Sequence, residues 1–428
     1  MILLIETPGS LLDSYDKAHG ANKVSYKLYC LFLAQKDHFI IILTDLSTQA
    51  CNHRNQALKA DANHFFINYE SLPDYLISET IIPDAALSFD IKIKRLLLFR
   101  NCYKYDFPVI GLIHSLGFIT HFDDLICLKP LLTECDKLIC PSDNTQQTAI
   151  KAGIDQSNLV VAHYGVDHRQ FIPVSALQKK ALRKRLSLPI HHTILLYVSR
   201  LSPYLKSDLT PMIRLLPELV SHHSNFTLYI VGTVLDLDYV NQLKQLVTEL
   251  NMQDHIIWNH DPNHDDMPLY YQSSDFYLGL SDYAAETYGL TITEAMATGL
   301  PVILSEHAGY KHHITHDIEG FYIPTLSGNI DLDPSFYTLD SSAFGYLYSQ
   351  SIALDNALLI QYISQLIDSS KKRHCMGKNA RYHIEQDHTL DHMYQRFLGV
   401  VQDAVTSFNS KKPELPNPYL NHIQQLLS

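Results

Sequence analysis

Basic charge is scarce in this sequence. Its 33 Lys and Arg face 45 Asp and Glu, a formal net charge of −12, which leaves no overall electrostatic footprint for nucleic acid and no general attraction to an anionic membrane surface. The best local basic run, from Ile91-Lys92-Ile93-Lys94-Arg95 through Arg100, reads as a solvated helix or strand face. Seven scattered cysteines form no CxxC pair, so neither a zinc site nor a disulfide framework is indicated and a reducing compartment is expected. There is no run of about 18 apolar residues with which to span a bilayer. Met1-Ile2-Leu3-Leu4-Ile5 meets Glu6 without a basic segment before it, so no signal sequence is expected. The expected location is cytoplasmic, with peripheral contact at the inner membrane face left open. No G-x-G-x-x-G follows any predicted strand, which makes an NAD-dependent dehydrogenase the weakest enzymatic reading.

What is present suits two α/β domains. The 428 residues, 46% of them hydrophobic, are long for one core and enough for two domains of about 200 residues. Residues 2–5 and 39–43 read as buried strands of a parallel sheet, with a helix over 24–34 between them, a βαβ unit. The loop 7–22 lies where such folds place ligands, beyond the carboxyl end of a strand. Residues 50–102 are irregular, with a weak strand near 65–67 and a helical stretch near 93–99. A strand over 109–113 ends at His114, and another over 137–140 precedes a helix over 144–152. Residues 168–189 read as the interdomain connection, with the charges of 179–185 turned to solvent. Strands over 194–198, 225–231, 255–258 and 276–280 build the second domain. Residues 325–348 read as a loop-rich insertion; helices over 357–367, 371–384 and 393–405 follow, then a loosely held tail after Ser410. The domains expected are 1–185 and 190–388, with the terminal helix 390–408 packing back on the first.

The most informative stretch is residues 281–304, SDYAAETYGLTITEAMATGLPVIL. It reads as a strand end, a tight turn at Tyr288-Gly289, a short helix from Thr291, a stop at Gly299 and Pro301, and a new strand. Backbone N–H groups at Gly289, Leu290 and Thr291 would favour a phosphate at the helix N-terminus. Glu286 and Glu294 frame that end. Carboxylates are electrostatically wrong for holding phosphate and right for accepting hydrogen bonds from neutral sugar and ribose hydroxyls, which points to a nucleotide-sugar. Two blander readings stand beside this one. Thr291-Ile292-Thr293-Glu294 is also a capping box, and Glu286 is also readable as a solvated loop acid.

Glu286, seven intervening residues and Glu294, with Tyr288-Gly289-Leu290 between and Ala295-Met296-Ala297 then Gly299-Leu300-Pro301-Val302 after, resembles the donor-site signature of the retaining family 4 glycosyltransferases. Gly165-Val166-Asp167 before Phe171 is also similar to the family. The resemblance implies a GT-B fold: two Rossmann-like domains with parallel sheets facing a central cleft, the nucleotide-sugar held mainly by the C-terminal one. It implies that Arg200 and Lys206, on the loop after the first strand of the second domain, neutralise the leaving diphosphate. Glu286 would orient the donor sugar, Glu294 the ribose, and His114 would hold the sugar from the opposite domain; the loop 259–266 would lie near the base. Where family members usually carry paired glycines before the first helix, this chain has Gly20-Ala21.

The function so implied is retaining transfer of a sugar from a nucleotide-sugar donor to an acceptor hydroxyl of a glycan, lipid or protein-linked acceptor, without a metal or other cofactor. Asp236-Leu237-Asp238 has the form of a metal-binding DxD, but three residues at a helix start carry little weight. The histidine groups at 260/264 and 312/313/316 come with no HExxH and no cysteine pair. The alternatives are a nucleotide-sugar epimerase or hydrolase on the same fold, or a non-catalytic nucleotide-sugar-binding protein.

Overall fold

The computed structural model describes residues 1–13, 20–59, 61–116, 119–203, 206–283, 286–327 and 347–416. The chain divides into two compact units, Met1–Tyr164 with Met393–Ser428, and Gly165–His392.

The first unit is built on a seven-stranded parallel sheet of β1 (Ile2–Glu6), β2 (Phe39–Thr44), β3 (His64–Asn68), β4 (Ala85–Ser88), β5 (Val109–Leu112), β6 (Lys137–Cys140) and β7 (Leu159–Val161). Their spatial order is β3-β2-β1-β4-β5-β6-β7. The order reverses between β1 and β4, the place where doubly wound sheets bind ligands because connections leave in opposite directions and open a crevice. The strands are near-continuous apolar runs because helices cover both faces of a parallel sheet; Leu3, Leu4, Ile5, Ile40, Ile41 and Ile42 have no exposure.

Within residues 50–102 there is more regularity than the sequence suggests: helices Thr48–Gln56, Leu72–Ser78 and Lys94–Tyr103, and strands β3 and β4. These elements are short, and β4 has four residues, so no periodicity accumulates over them. Side chain-to-backbone bonds help to mark their limits, such as Ser47 accepting from the Ala50 N–H and Asn55 bracketing Phe66 with two bonds to its main chain. The expected solvated basic face does not extend to Arg100. That residue is fully buried with Asp136, on the side of the helix that carries Leu96 and Leu97.

The second unit has a six-stranded parallel sheet of β8 (Thr193–Val198), β9 (Phe226–Gly232), β10 (Ile256–His260), β11 (Phe276–Gly279), β12 (Val302–Ser305) and β13 (Gly320–Ile323), in the order β10-β9-β8-β11-β12-β13. This is the winding of the first unit again, with its reversal between β8 and β11. Apolar clusters lie on both faces, one around Leu195, Phe226 and Ile363, the other around Leu196, Tyr277 and Ile384. A two-stranded antiparallel pair, β14 (Thr325–Ser327) with β15 (Ile352–Leu354), brackets residues 328–346. Those belong to the insertion read from sequence and lie outside the described residues, as do 417–428 of the tail.

The division between units falls at 164/165 rather than at the expected 185/190. The helix Ala176–Arg185 is no connection: Arg183 is buried, pairs with Asp275 at 2.5 Å and donates to the carbonyls of Ser273, Ile190 and His192. Lys179 joins the same carboxylate at 3.3 Å. Sequence shows a row of cations there; the fold supplies one buried acid that orients two of them inward. The last helix, Leu390–Lys411, returns the chain to the first unit, where Tyr394 meets Phe32 edge-on with ring centroids 5.1 Å apart. Among the described residues no helix is long and apolar enough to cross a membrane.

Candidate functional site

The second unit concentrates charged and strained groups beyond the carboxyl ends of β8, β11 and β12. After β11 the chain turns through Ser281, whose hydroxyl donates to the Lys206 carbonyl at 3.1 Å and whose N–H is held by Ser305. These bonds tie the loop after β8 to the loop after β11. Their result is an ion pair: Lys206 Nζ lies 2.5 Å from Glu286 Oε2, with Glu286 itself 5% exposed. The Glu286 carbonyl accepts from the Gly309 N–H at 2.7 Å. A Cβ at Gly309 would lie 2.2 Å from the Thr287 carbonyl carbon, so only glycine lets the two loops approach this closely.

Gly289 starts the helix Leu290–Ala297 from the left-handed region, at φ 98°. A side chain there would be strained and would meet the Tyr310 ring. With Gly289 in the capping position there is no capping side chain to bond the first N–H groups. The capping-box reading of Thr291 and Glu294 is thereby overturned. Thr291 instead accepts from the Tyr277 hydroxyl, and Glu294 accepts from the Tyr271 hydroxyl, each at 2.8 Å. Tyr271 and Tyr310 are both pushed well above the ordinary phenol range, by burial first and then by Glu294 and Glu286 respectively. The helix start therefore offers main-chain N–H groups from Leu290 onward beside one buried carboxylate and one half-buried one.

The nine candidate residues do not all fall together. Lys206, Glu286, Gly289, Leu290, Thr291 and Glu294 belong to one cluster, linked through Tyr310 and Tyr277. Arg200 is exposed and acts electrostatically on Tyr283, which also feels Glu286. Tyr288 turns inward: it is 3% exposed, its ring meets His313 and its hydroxyl faces His388 Nδ1 at 3.2 Å. His114 lies in the first unit beyond β5, and its ring nitrogens are engaged there. Nδ1 faces the Tyr164 hydroxyl, while Nε2 faces the Phe89 carbonyl and the Ser25 hydroxyl, all at 2.8 Å. Burial lowers its pKa, so the imidazole is held neutral.

Two residues next to the cluster escaped sequence reading. His307 lies beside Glu286 and Lys311: desolvation first, and then Lys311, bring its pKa down to about 4 against the opposing effect of Glu286, and its Nε2 finds no partner. Asp282 has one oxygen on the Asp208 N–H and the other without a partner. Burial, with Asp208 adding repulsion, raises its carboxyl to about 7. Each lies a few residues beyond the end of a buried strand, and that position was the available signal.

Asp282 makes a stability prediction. The unfolded carboxyl ionises near 3.8 and the folded one near 7, so the folded state withholds a proton release that the unfolded state enjoys. Stability is lost as pH rises from about 4 to 7 and stays reduced above. Asp282→Asn keeps an acceptor for the Asp208 N–H and has no charge to bury. Its stabilisation at pH 8 should exceed that at pH 5 by about 2–3 kcal/mol, read from denaturant midpoints at the two pH values. Equal destabilisation at both would show that the carboxylate is compensated.

Among the described residues no group of three or more His, Cys, Asp or Glu is placed to hold a metal ion. Asp236 caps the helix Leu237–Glu249 by accepting from the Tyr239 N–H at 2.9 Å.

Residues 178–328, which span this whole cluster, match the family described as Glycosyl transferases group 1. The chain is 26% identical over 301 residues to a putative glycosyltransferase, YtcC, of Bacillus subtilis, a match covering 68% of this chain and 65% of the relative. It is 24% identical to the alpha-monoglucosyldiacylglycerol synthase of Streptococcus pneumoniae over 51% of this chain and 52% of that one. The matched stretches thus span about half to two thirds of the length of these curated relatives. In architecture the chain is similar to Anabaena Alr3699/HepE, solved in complex with UDP and glucose, with a TM-score of 0.63 at 17% identity over 94% of this chain and 99% of that one. A sucrose-phosphate synthase from Thermosynechococcus elongatus superposes with a TM-score of 0.62 at 16% identity, over 95% and 99%. Residues 178–328 thus resemble the glycosyl transferases group 1 family in sequence, and the chain as a whole has a GT-B fold.

Proposed function

We propose that this protein is a retaining, metal-independent glycosyltransferase that moves a sugar from a nucleotide-sugar donor to an acceptor hydroxyl. The observation that carries the reading is the Lys206–Glu286 pair at the start of the helix Leu290–Ala297: one cation and the N–H groups of a helix N-terminus suited to a diphosphate, and one carboxylate suited to sugar hydroxyls.

In the proposed reaction the bond from the anomeric carbon to the diphosphate oxygen breaks with its electron pair going to that oxygen. A bond from the acceptor oxygen forms on the same face, and the acceptor proton passes to the departing phosphate. Charge developing on the diphosphate is met by Lys206, Arg200 and the N–H groups of Leu290 and Thr291, which are oriented before the reaction begins. Glu286 orients the sugar and Glu294 the ribose. The His114 role carried over from the family requires one ring nitrogen to exchange Tyr164, Ser25 or Phe89 for a ligand.

Solved neighbours crystallised with UDP and UDP-glucose make UDP-sugars the first donors to try. Thermal unfolding should be measured with UDP, GDP, ADP and dTDP and their sugars, because ligand binding to the folded state raises its midpoint. One nucleotide series is expected to give a clear rise, and incubation of that donor with acceptors should yield a product of unchanged anomeric configuration. No shift with any nucleotide diphosphate at millimolar concentration would end the proposal. Product formed from donor alone would replace transfer by hydrolysis or epimerisation.

A further inference from the structure

The first unit has a cavity of its own, of about 130 Å³, at the reversal between β1 and β4. Glu6 and Thr7 line it from the end of β1, Ser88, Phe89 and Asp90 from the end of β4, and Ser25 from the helix Gly20–Leu33. Water needs about 10–15 Å³ of such space, so the cavity has room for a small ligand rather than a single solvent molecule.

Its polar groups are unfinished. Thr7 is 1% exposed and its hydroxyl has no hydrogen-bond partner, although its N–H is bonded to the Leu43 carbonyl. One oxygen of Glu6 is likewise without a partner. A buried hydroxyl and a buried carboxyl oxygen left unpaired each cost free energy that a ligand can recover. Among the described residues the lining offers hydroxyls and two acids and no Lys or Arg. Arg95, a cation that acts on Glu6, is stacked over the Tyr69 ring at 3.5 Å. Such a lining repels phosphate and matches a molecule carrying several neutral hydroxyls.

We propose that this cavity is a binding site for an uncharged polyhydroxyl compound, a sugar or cyclitol without phosphate, seated on Glu6 and Thr7. As the acceptor site of a sugar transfer it rests on the function proposed above; as a polyol site it stands by itself.

Glu6 adds a pH dependence. Burial is the main cause that lifts its carboxyl to about 7, with Asp90 and Asp45 adding repulsion, while the Ser88 hydroxyl and Arg95 oppose the rise. An uncharged ligand strips the remaining water from this group and so favours its protonated form. Between pH 6 and pH 8 the protonated fraction falls about tenfold, and polyol affinity should fall with it.

The test uses the full chain with glucose, myo-inositol and glucose 6-phosphate as probes at tens of millimolar, followed by ligand-observed NMR at pH 6 and pH 8, with UDP binding measured in parallel. The expected result is binding of at least one neutral probe, up to tenfold stronger at pH 6, with glucose 6-phosphate at least tenfold weaker than glucose. Thr7→Val should weaken the neutral probe severalfold, and Glu6→Gln should keep binding while removing its pH dependence. Absence of neutral-probe binding, equal binding of the phosphorylated probe, or affinity unaffected by pH overturns the proposal in the unaltered protein, whatever the variants do. UDP binding without polyol binding refutes this site alone; polyol binding without nucleotide binding refutes the transfer reading alone.

Discussion

Lys206→Ala is expected to lower the rate of sugar transfer by about 10²–10³-fold, the loss typical of removing one preorganised group from a developing oxyanion. Glu286→Ala should be as damaging to transfer, but the two variants should part company in nucleotide binding. In the unliganded protein Lys206 Nζ is held by Glu286 at 2.5 Å, so a diphosphate has to draw the ammonium away from a buried carboxylate. Lys206→Ala removes the cation and should weaken UDP binding. Glu286→Ala releases the cation, so UDP should bind as well or more tightly, while the extra affinity contributed by the sugar of UDP-sugar disappears. Calorimetric titration of both variants with nucleotide and with nucleotide-sugar separates these effects. Both folds should persist, because Lys206 is partly exposed and Glu286→Ala removes a charge from a buried place. Parallel losses of UDP affinity in the two would mean that Glu286 serves the phosphate end through Lys206 and does not read the sugar.

The largest loss of stability is expected from Asp136→Ala. Asp136 and Arg100 are both fully buried, with Nη1 and Oδ1 2.5 Å apart. The same carboxylate accepts from the Val109 N–H at 2.7 Å and from the Thr133 N–H and hydroxyl at 2.6 and 2.9 Å. Arg100 spends its other donors on Asn101 and on the carbonyls of Phe107 and Leu131. Taking away the acid leaves a guanidinium charged, enclosed and unpaired, a change that costs about 3–5 kcal/mol, with two buried N–H groups orphaned besides. Urea unfolding of the first unit should show the loss. Replacing both partners with apolar side chains, Arg100→Met with Asp136→Leu, should recover part of it, since no charge is then left buried. If Asp136→Ala costs under about 1 kcal/mol, water reaches this pair and the burial seen here is incomplete. Because Val109 opens β5, the strand that leads to His114, weakened transfer in this variant would be read as a secondary effect of misplacing that strand.

Much of this architecture could be read in advance wherever a local pattern is long enough to carry its own signal. Apolar runs such as Ile40 to Leu43 and Tyr229 to Val231 mark strands of a sheet covered on both faces. The ordered spacing of Glu286, Gly289 and Glu294 locates the start of one helix and the two acids near it. Short elements gave no such signal: β4 is four residues of unremarkable composition, yet it sits next to β1 and helps to form the first unit's cavity. Partnership across the sequence gave none either. Arg100 and Arg183 look like surface cations until Asp136 and Asp275 are brought beside them from 36 and 92 residues away.

Amino-acid order alone determined the class of fold, the two sheets and the site where a glycine-started helix meets two acids, because each is a pattern of neighbours along the chain. Which acids keep their protons, which cations are buried, and where the unpaired Thr7 hydroxyl faces empty space were decided only by tertiary structure. Those properties depend on how completely water is removed and on which distant group replaces it, and folding sets both at once.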